Sequence, residues 1–203
     1  MLTADFYSIA IMNAVTIDLR PVIRLTHEQF EQIAIANRDL RLELTADGEL
    51  IVMPPTGGNT GRRNSNLTYQ VEAWNKRTSI GVVFDSSTVF QLPSGAERSP
   101  DVAWIDQARW DALTLEQQDT FPPICPDFVI ELRSKTDSLK TLQAKMQEYL
   151  ENGCRLGLLI NYQDRQVEIY RLNQAKQVLQ SPQSVSCEEL LPGFVLDLRS
   201  IWT

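Results

Sequence analysis

The chain has 203 residues, 43% of them hydrophobic, and a formal net charge of −7 at pH 7. This length suffices for one domain with a sizeable core and is too short for two ordinary domains, and no apolar run approaches the length of a membrane span. The acidic balance argues against a uniformly basic surface of the kind that binds nucleic acids, although an uneven charge distribution would still allow a basic face.

The N-terminal 24 residues are predicted to form an arm that precedes a single domain over 25–203. Residues 6–12 are apolar, but Asp5 precedes them without a Lys or Arg. This pattern makes a poor signal peptide, so we expect a cytoplasmic protein.

The domain is predicted to begin with a helix. Thr26 is a candidate N-cap, Gln29 completes a capping box, and Leu25 is placed to pack against Phe30. This start puts His27 in the first helical turn, where we expect it to be exposed.

A hairpin is predicted after this helix. Leucines at 40, 42 and 44 alternate with polar residues, and Asp47-Gly48 then turns the chain into the apolar run 50–53. Such alternation around an Asp-Gly turn is typical of a β-hairpin.

The rest of the chain predicts alternating strands and helices, which indicates an α+β fold of one domain with a mixed β-sheet flanked by helices. The predicted elements are a helix from about 61 to 78, one bent or two short strands over 82–92, a strand over 101–105, a short helix over 110–118, a strand over 128–132 buried on both faces, a helix from about Asp137 to Asn152, strands over 156–161 and 166–171, and an apolar closure over 190–202.

The cysteines and the single histidine narrow the chemistry. Cys125, Cys154 and Cys187 are isolated, odd in number and without CxxC spacing, which favours reduced core cysteines over disulfides or a zinc site. With His27 alone, a histidine-based triad or a zinc–histidine hydrolase is disfavoured.

Two apolar strand-like runs each carry one carboxylate where a buried strand normally has none. Asp101 opens the first run, and Glu131 lies within the second. A buried charge is costly unless it is paired or binds a metal. The two runs therefore indicate either two acids that meet at a cation or a salt bridge from Glu131 to Arg133 or a lysine. Residues two apart in a strand share a face, so Glu131 and Arg133 are expected to project together.

These residues resemble the PD-(D/E)XK nuclease superfamily, in which an acid precedes a distant acid-x-basic triplet. More closely, the chain resembles a family of proposed bacterial endonucleases of that superfamily, long catalogued as a domain of unknown function, from about Leu25 onward. The motifs that carry the resemblance are Asp47-Gly48-Glu49-Leu50, Met53-Pro54-Pro55, Ser99-Pro100-Asp101, Glu131-Leu132-Arg133-Ser134, Lys145 with Tyr149, and Leu191-Pro192-Gly193-Phe194.

The resemblance implies a restriction-endonuclease-like fold and a Mg²⁺- or Mn²⁺-dependent endonuclease that hydrolyses DNA. Asp101 and Glu131 would bind the metal together with the carbonyl of Leu132. The lysine that superfamily nucleases usually carry two residues after the second acid is Arg133 here, and arginine does not give up its proton to act as a base. In the related family the basic role has moved to a helix lysine, which makes Lys145 the second candidate.

Glu43 is a candidate third acid near the metal, as an early glutamate is in many superfamily members. An exposed glutamate on one face of a strand is the alternative interpretation.

Contacts to DNA are predicted for Arg62 and Arg63, which follow a glycine-rich loop at a helix N-terminus. Backbone amides there could hold a phosphate, or the loop could simply be polar and flexible. We expect a positive groove around the two acids, formed by Arg62, Arg63, Lys135, Lys140 and Lys145.

The expected assembly is a homodimer, because two-fold symmetry supplies two sites for cutting both strands. Two alternatives to the nuclease remain open. One is a catalytically inactive nuclease fold that serves as a binding or regulatory module, and the other is a hydrolase of a small phosphodiester.

Overall fold

A computed structural model of the protein describes residues 13–20 and 22–203. The predicted absence of a signal peptide rests on residues 6–12, which lie outside the described residues. The elements in chain order are β1 (Val15–Asp18), α1 (His27–Ala36), β2 (Arg41–Leu44), β3 (Glu49–Met53), α2 (Gly58–Thr78), β4 (Gly81–Asp85), β5 (Phe90–Gln91), β6 (Glu97–Arg98), β7 (Val102–Asp106), α3 (Gln107–Asp111), α4 (Leu115–Asp119), β8 (Phe128–Leu132), α5 (Leu139–Glu151), β9 (Leu156–Asn161), β10 (Gln166–Arg171), β11 (Gln177–Gln180), β12 (Ser184–Ser186) and β13 (Val195–Asp197).

These strands form two main sheets and one small one. The central sheet has the order β11-β10-β9-β8-β7-β4, and β8 runs parallel to β9 but antiparallel to β7. A second sheet has the order β1-β3-β2-β6-β5, and β12 pairs with β13. The mixed sheet flanked by helices confirms the predicted α+β fold. None of the helices in the described part of the chain is long and apolar enough to cross a membrane.

Local sequence signals at the start of the domain are confirmed. Thr26 and Gln29 form the predicted capping box, and β2 and β3 pair as the predicted hairpin, with Gly48 at a φ of 91° in the turn. The predicted exposure of His27 is wrong. Its ring contacts the buried carboxylate of Glu97 and is only 23% exposed, because α1 packs on the second sheet.

Several boundaries differ from the predicted ones. Residues 82–92 form two strands in different sheets, and residues 110–118 contain two short helices rather than one. The cap of α5 is Ser138. The carboxylate of Asp137 instead accepts a hydrogen bond from the backbone N–H of Ser134. Within the predicted N-terminal arm, β1 adds an edge strand to the second sheet by pairing with β3.

The core lies on both faces of β8, in which all five residues are buried. Phe128, Ile130 and Leu132 pack in a cluster with residues of α2 and the C-terminal segment, whereas Val129 packs with residues of α5. Side chains alternate along a strand, so Glu131 lies on the α5 face with Val129. All three cysteines are buried and free, which confirms their predicted place in the core.

The approach of β4 to β7 leaves no room for a side chain at Gly81. A Cβ there would lie 2.3 Å from the carbonyl oxygen of Ile105 and 2.4 Å from the Trp104 ring. We expect Gly81→Ala to lower the free energy of unfolding by about 1–3 kcal/mol or more, measured by urea denaturation. The matched control is Gly61→Ala, which places its Cβ in open space on α2 and should stabilise the protein by about 0.5–1 kcal/mol. Equal effects of the two substitutions would contradict this packing.

Candidate active site

The strand register brings Asp101 and Glu131 together. β7 and β8 pair Val102 with Ile130 and Ala103 with Val129, so the next position along places Asp101 opposite Glu131. Residues directly opposite one another in antiparallel strands lie on the same face. The Asp101 carboxylate also accepts a hydrogen bond of 2.8 Å from the backbone N–H of Leu132. The two acids selected from the sequence therefore lie side by side.

Helix α5 carries a lysine into this pair of acids. The Nζ of Lys145 lies 2.7 Å from Oε1 of Glu131 and 2.8 Å from Oε1 of Glu43, and it is 3.4 Å from the carbonyl oxygen of Ser99. The Lys145 side chain is only 9% exposed. Glu43 is buried too, so its interpretation as an exposed strand residue is wrong.

A tyrosine one turn along the same helix orients the second acid. The hydroxyl of Tyr149 donates a 3.0 Å hydrogen bond to Oε1 of Glu131, the same oxygen that Lys145 contacts. Tyr149 is fully buried, and burial raises its pKa well above the usual value, so its hydroxyl stays a donor. Because both contacts use Oε1, Oε2 of Glu131 is left available to a ligand.

Two further charged residues extend the cluster and were not predicted from the sequence. Arg98 donates to Oε2 of Glu43 at 3.1 Å and to Oε2 of Glu148 at 2.5 Å. Arg98 directly precedes the Ser99-Pro100-Asp101 motif, and Glu148 directly precedes Tyr149 on α5. Their position next to these motifs was the one signal in the sequence that could have identified them as site residues. It does not reveal that Arg98 and Glu148 contact each other.

Burial favours the protonated form of both metal-ligand candidates. Burial raises the pKa of Glu131 to about 7 against the pull of Lys145, and the negative charges of Asp101 and Glu43 add to the rise. Burial likewise raises the pKa of Asp101, opposed by the N–H of Leu132. For both acids, the nearby positive charges and N–H donors are too weak to offset the effect of burial on the pKa.

Glu43 and Lys145, in contrast, are both held in their charged forms. Burial works against the charge of Glu43, but Lys145 and Arg98 outweigh it and lower its pKa. Burial also works against the ammonium of Lys145, yet Glu131 and Glu43 raise its pKa. Glu43 and Lys145 thus form a stable ion pair at neutral pH.

The site residues fit a magnesium-like cation. When all are ionised, the four carboxylates of Glu43, Asp101, Glu131 and Glu148 outnumber the three nearby cations, Arg41, Arg98 and Lys145. No group of three or more His, Cys, Asp or Glu side chains over 13–20 and 22–203 is arranged to hold a metal. Mg²⁺ does not require such a group, because it commonly binds through one or two carboxylates and keeps several waters.

An unpartnered oxygen beside Asp101 supports the same conclusion. The amide nitrogen of Asn64 donates a 2.6 Å hydrogen bond to Asp101, while its buried Oδ1 has no hydrogen-bond partner. Oxygen is the ligand atom that Mg²⁺ prefers. The positive charge of Arg41 also favours the ionised form of Asp101.

Arg133 lies at the end of β8, but its contacts point away from the acid pair. Its guanidinium donates to the side chains of Asn161 and Asp164, both at 3.3 Å, and to the carbonyl of Asp137 at 3.2 Å. The basic side chain that forms an ion pair with Glu131 is therefore that of Lys145. The sequence predicts that Glu131 and Arg133 project together, but β8 ends at Leu132 and the two side chains contact different partners. Of the two salt bridges considered for Glu131, the structure shows the one to a lysine.

Arg62 and Arg63 hold the C-terminal segment. Arg63 is buried, donates to the carbonyls of Ile201 and Thr203, and stacks on the ring of Tyr162. Arg62 donates to the carbonyl of Thr203 at 2.6 Å but remains exposed. A DNA contact by these two residues stays a prediction. Of the other residues predicted to form the positive groove, Lys135 and Lys140 are exposed and Lys145 is buried.

Comparisons with known proteins agree with this geometry. A search of curated proteins finds no match. Among solved structures, the chain is similar to one described as a "putative nuclease belonging to DUF820" from Anabaena variabilis ATCC 29413, with a TM-score of 0.74 and 19% identity over 88% of this chain and 97% of that one. At this level of identity the likeness establishes the fold. The family model "Uma2: Putative restriction endonuclease" matches residues 27–199, and the chain therefore belongs to the Uma2 family.

Proposed function

We propose that the protein is a divalent-metal-dependent endonuclease that hydrolyses phosphodiester bonds in DNA. The observation that carries the proposal is the placement of Lys145, 2.7 Å from Glu131, beside two acids that neighbouring strands bring together. Two acids and one lysine that meet at two neighbouring interior strands of the central sheet supply the groups for metal-assisted phosphodiester hydrolysis. Membership of a family described as restriction endonucleases supports the same activity.

Asp101 and Glu131 would hold the metal, Mg²⁺ or Mn²⁺, together with the carbonyl of Leu132. When bound, such an ion neutralises charge on the scissile phosphate and lowers the pKa of water. Tyr149 fixes the orientation of Glu131 through its 3.0 Å hydrogen bond. When Glu131 holds the metal, the N–H of Lys145 that now faces Glu131 would be free to donate a hydrogen bond to the phosphate or to the attacking water.

Glu43 would serve as the anchor of Lys145. Its carboxylate is fixed by the backbone N–H of Ser99 at 3.1 Å and by Arg98 at 3.1 Å, while it binds Nζ of Lys145 at 2.8 Å. A lysine held in this way keeps its position when Glu131 turns to a metal. Preorganised charge of this kind lowers the cost of reaching the transition state.

DNA is the proposed substrate despite the net charge of −7. The exposed Lys135 and Lys140 follow β8 in sequence, and the exposed Arg62 lies on the same helix as Asn64, which contacts Asp101. These basic residues would contact the DNA backbone. A homodimer would supply two such sites for the two strands.

The test is cleavage of plasmid DNA in the presence of Mg²⁺ or Mn²⁺ by the wild type and by Asp101→Asn. We expect nicked and linear products from the wild type and a loss of at least about 100-fold in the variant, since a metal ligand is removed. The variant should fold normally, because a rotation of the Asn64 amide lets its unpartnered Oδ1 accept a hydrogen bond from the new amide, while the N–H of Leu132 keeps the remaining oxygen as its acceptor. Equal activity of the two proteins would contradict the proposal.

A binding measurement with Ca²⁺ in place of Mg²⁺ separates the alternatives. Backbone contacts to DNA predict that the affinity falls with salt, with a log–log slope of several units. Salt-dependent DNA binding without cleavage in Mg²⁺ or Mn²⁺ would instead indicate an inactive binding module. Turnover of a small phosphodiester without DNA binding would indicate the smaller substrate.

A further inference from the structure

We infer that Arg98 and Glu148 are positioning residues that set how Lys145 is shared between Glu43 and Glu131, and thereby set the affinity of the site for its metal. The inference rests on the proposed function, since it concerns the metal held by Asp101 and Glu131. It assigns a role to two residues that contact neither Asp101 nor Glu131 directly but are linked to Glu131 through Glu43 and Lys145.

The contacts form one unbranched chain of alternating charge. Glu148 binds Arg98 at 2.5 Å, Arg98 binds Glu43 at 3.1 Å, Glu43 binds Lys145 at 2.8 Å, and Lys145 binds Glu131 at 2.7 Å. Each cation in this chain lies between two carboxylates. Along these ion pairs, a change at the Glu148 end reaches Glu131 through Arg98, Glu43 and Lys145.

Burial makes this coupling strong. The side chains of Arg98, Glu43, Lys145 and Glu131 are 8%, 4%, 9% and 5% exposed, while Glu148 is 17% exposed. Water screens such charges poorly, and each hydrogen bond between charged groups alters the strength of the next. Glu43 is the junction, because it accepts from both Arg98 and Lys145.

The two positioning residues should act in opposite directions. Without the charge of Arg98, Glu43 attracts Lys145 more strongly, and Glu131 is released toward the metal. Without the charge of Glu148, Arg98 binds Glu43 alone, and Lys145 shifts toward Glu131 and competes with the metal. Arg98→Gln should thus strengthen metal binding, and Glu148→Gln should weaken it.

The experiment is calorimetric titration of the full chain with Mn²⁺. We expect the Kd of Arg98→Gln to fall about tenfold and that of Glu148→Gln to rise about tenfold. Glu151→Gln is the matched control, because it removes an exposed acid from the same helix, and it should shift Kd by less than about twofold. Glu148 is the more exposed residue of the pair, so its variant suffices if Arg98→Gln does not fold.

A direct field effect of the lost charges would give the same signs, so both substitutions are repeated in a Glu43→Gln background. This change removes the junction, and the two shifts should then shrink to less than about twofold. Shifts that persist without Glu43, or that have the same sign in the wild-type background, would overturn the inference while leaving the proposed function intact. A wild type that binds no Mn²⁺ would instead overturn the proposed function, and the inference with it.

Discussion

Replacing Lys145 with methionine should lower DNA cleavage by about 10²–10⁴-fold while Mn²⁺ still binds. The reason is that Nζ of Lys145 forms ion pairs with Glu131 and Glu43, so under the proposed function its loss would remove the positive group beside the phosphate but no metal ligand. Cleavage is measured on plasmid DNA at saturating metal, and binding is measured by calorimetric titration with Mn²⁺.

Two control variants test whether Lys145 is the residue that supplies the positive charge needed for cleavage. Lys140→Met removes an exposed lysine from the same helix and should leave the rate of cleavage at saturating DNA unchanged. Arg133→Ala removes a guanidinium that contacts Asn161 and Asp164. If activity survives Lys145→Met and is lost in Arg133→Ala, the basic role belongs to the strand end.

Folding of the lysine variant is checked separately, because it leaves Glu43 and Glu131 without one cation. Removing one member of a buried ion pair can cost about 3–5 kcal/mol. Glu43 keeps Arg98 as a partner, and protonation of Glu131, whose pKa is about 7, removes much of the unpaired charge below neutral pH. Circular dichroism at pH 6 should therefore show a folded protein.

Replacing Glu131 with glutamine should stabilise the metal-free protein at pH 8. Glutamate ionises with an ordinary pKa of 4.5, and burial raises the value at Glu131 to about 7. The folded state thus binds the proton more tightly, so stability is lost as the pH rises from about 4.5 to 7. A shift of this size corresponds to about 3 kcal/mol of unfolding free energy. Glu131→Gln should therefore be more stable than the wild type by about this amount at pH 8 and equally stable at pH 4. Urea denaturation in the presence of EDTA measures the free energy of unfolding at each pH.

Metal should reverse the order of stability. At a free Mn²⁺ concentration of 1,000 times its Kd, the wild type gains about 4.1 kcal/mol, which exceeds the advantage of the variant, whereas a variant without the ligand gains little. Glu168→Gln is the matched control, since Glu168 is equally buried on β10. Burial opposes the charge of Glu168, but hydrogen bonds from Lys176, Tyr170 and Gln143 lower its pKa, so its replacement should destabilise at pH 8. A loss of stability at pH 8 in Glu131→Gln would contradict the prediction.

Much of the fold follows from short-range sequence signals. The capping box at Thr26, the Asp47-Gly48 hairpin and the apolar run 128–132 each depend on residues a few positions apart. Local backbone geometry and side-chain periodicity determine such features. Asp101 and Glu131 could be selected for the same reason, because a lone carboxylate in an apolar strand is visible in one stretch of sequence.

The partners of these acids depend on tertiary structure. The sequence left the choice between Arg133 and Lys145 open. The packing of α5 on the central sheet brings Lys145 to Glu131, while the end of β8 turns Arg133 toward Asp164. Arg63, predicted to contact DNA, is buried against the C-terminal segment.

The sequence by itself therefore determined the fold class, most of the elements and the two acids. Tertiary structure alone decided the rest of the cluster, in which Arg98 lies 55 residues from Glu43 and 50 residues from Glu148 along the chain. Ion pairs between such distant positions depend on the order of strands in a sheet and on the side from which a helix packs. Periodicity within a segment carries no information on either, because it specifies which face of an element is apolar but not which element covers that face.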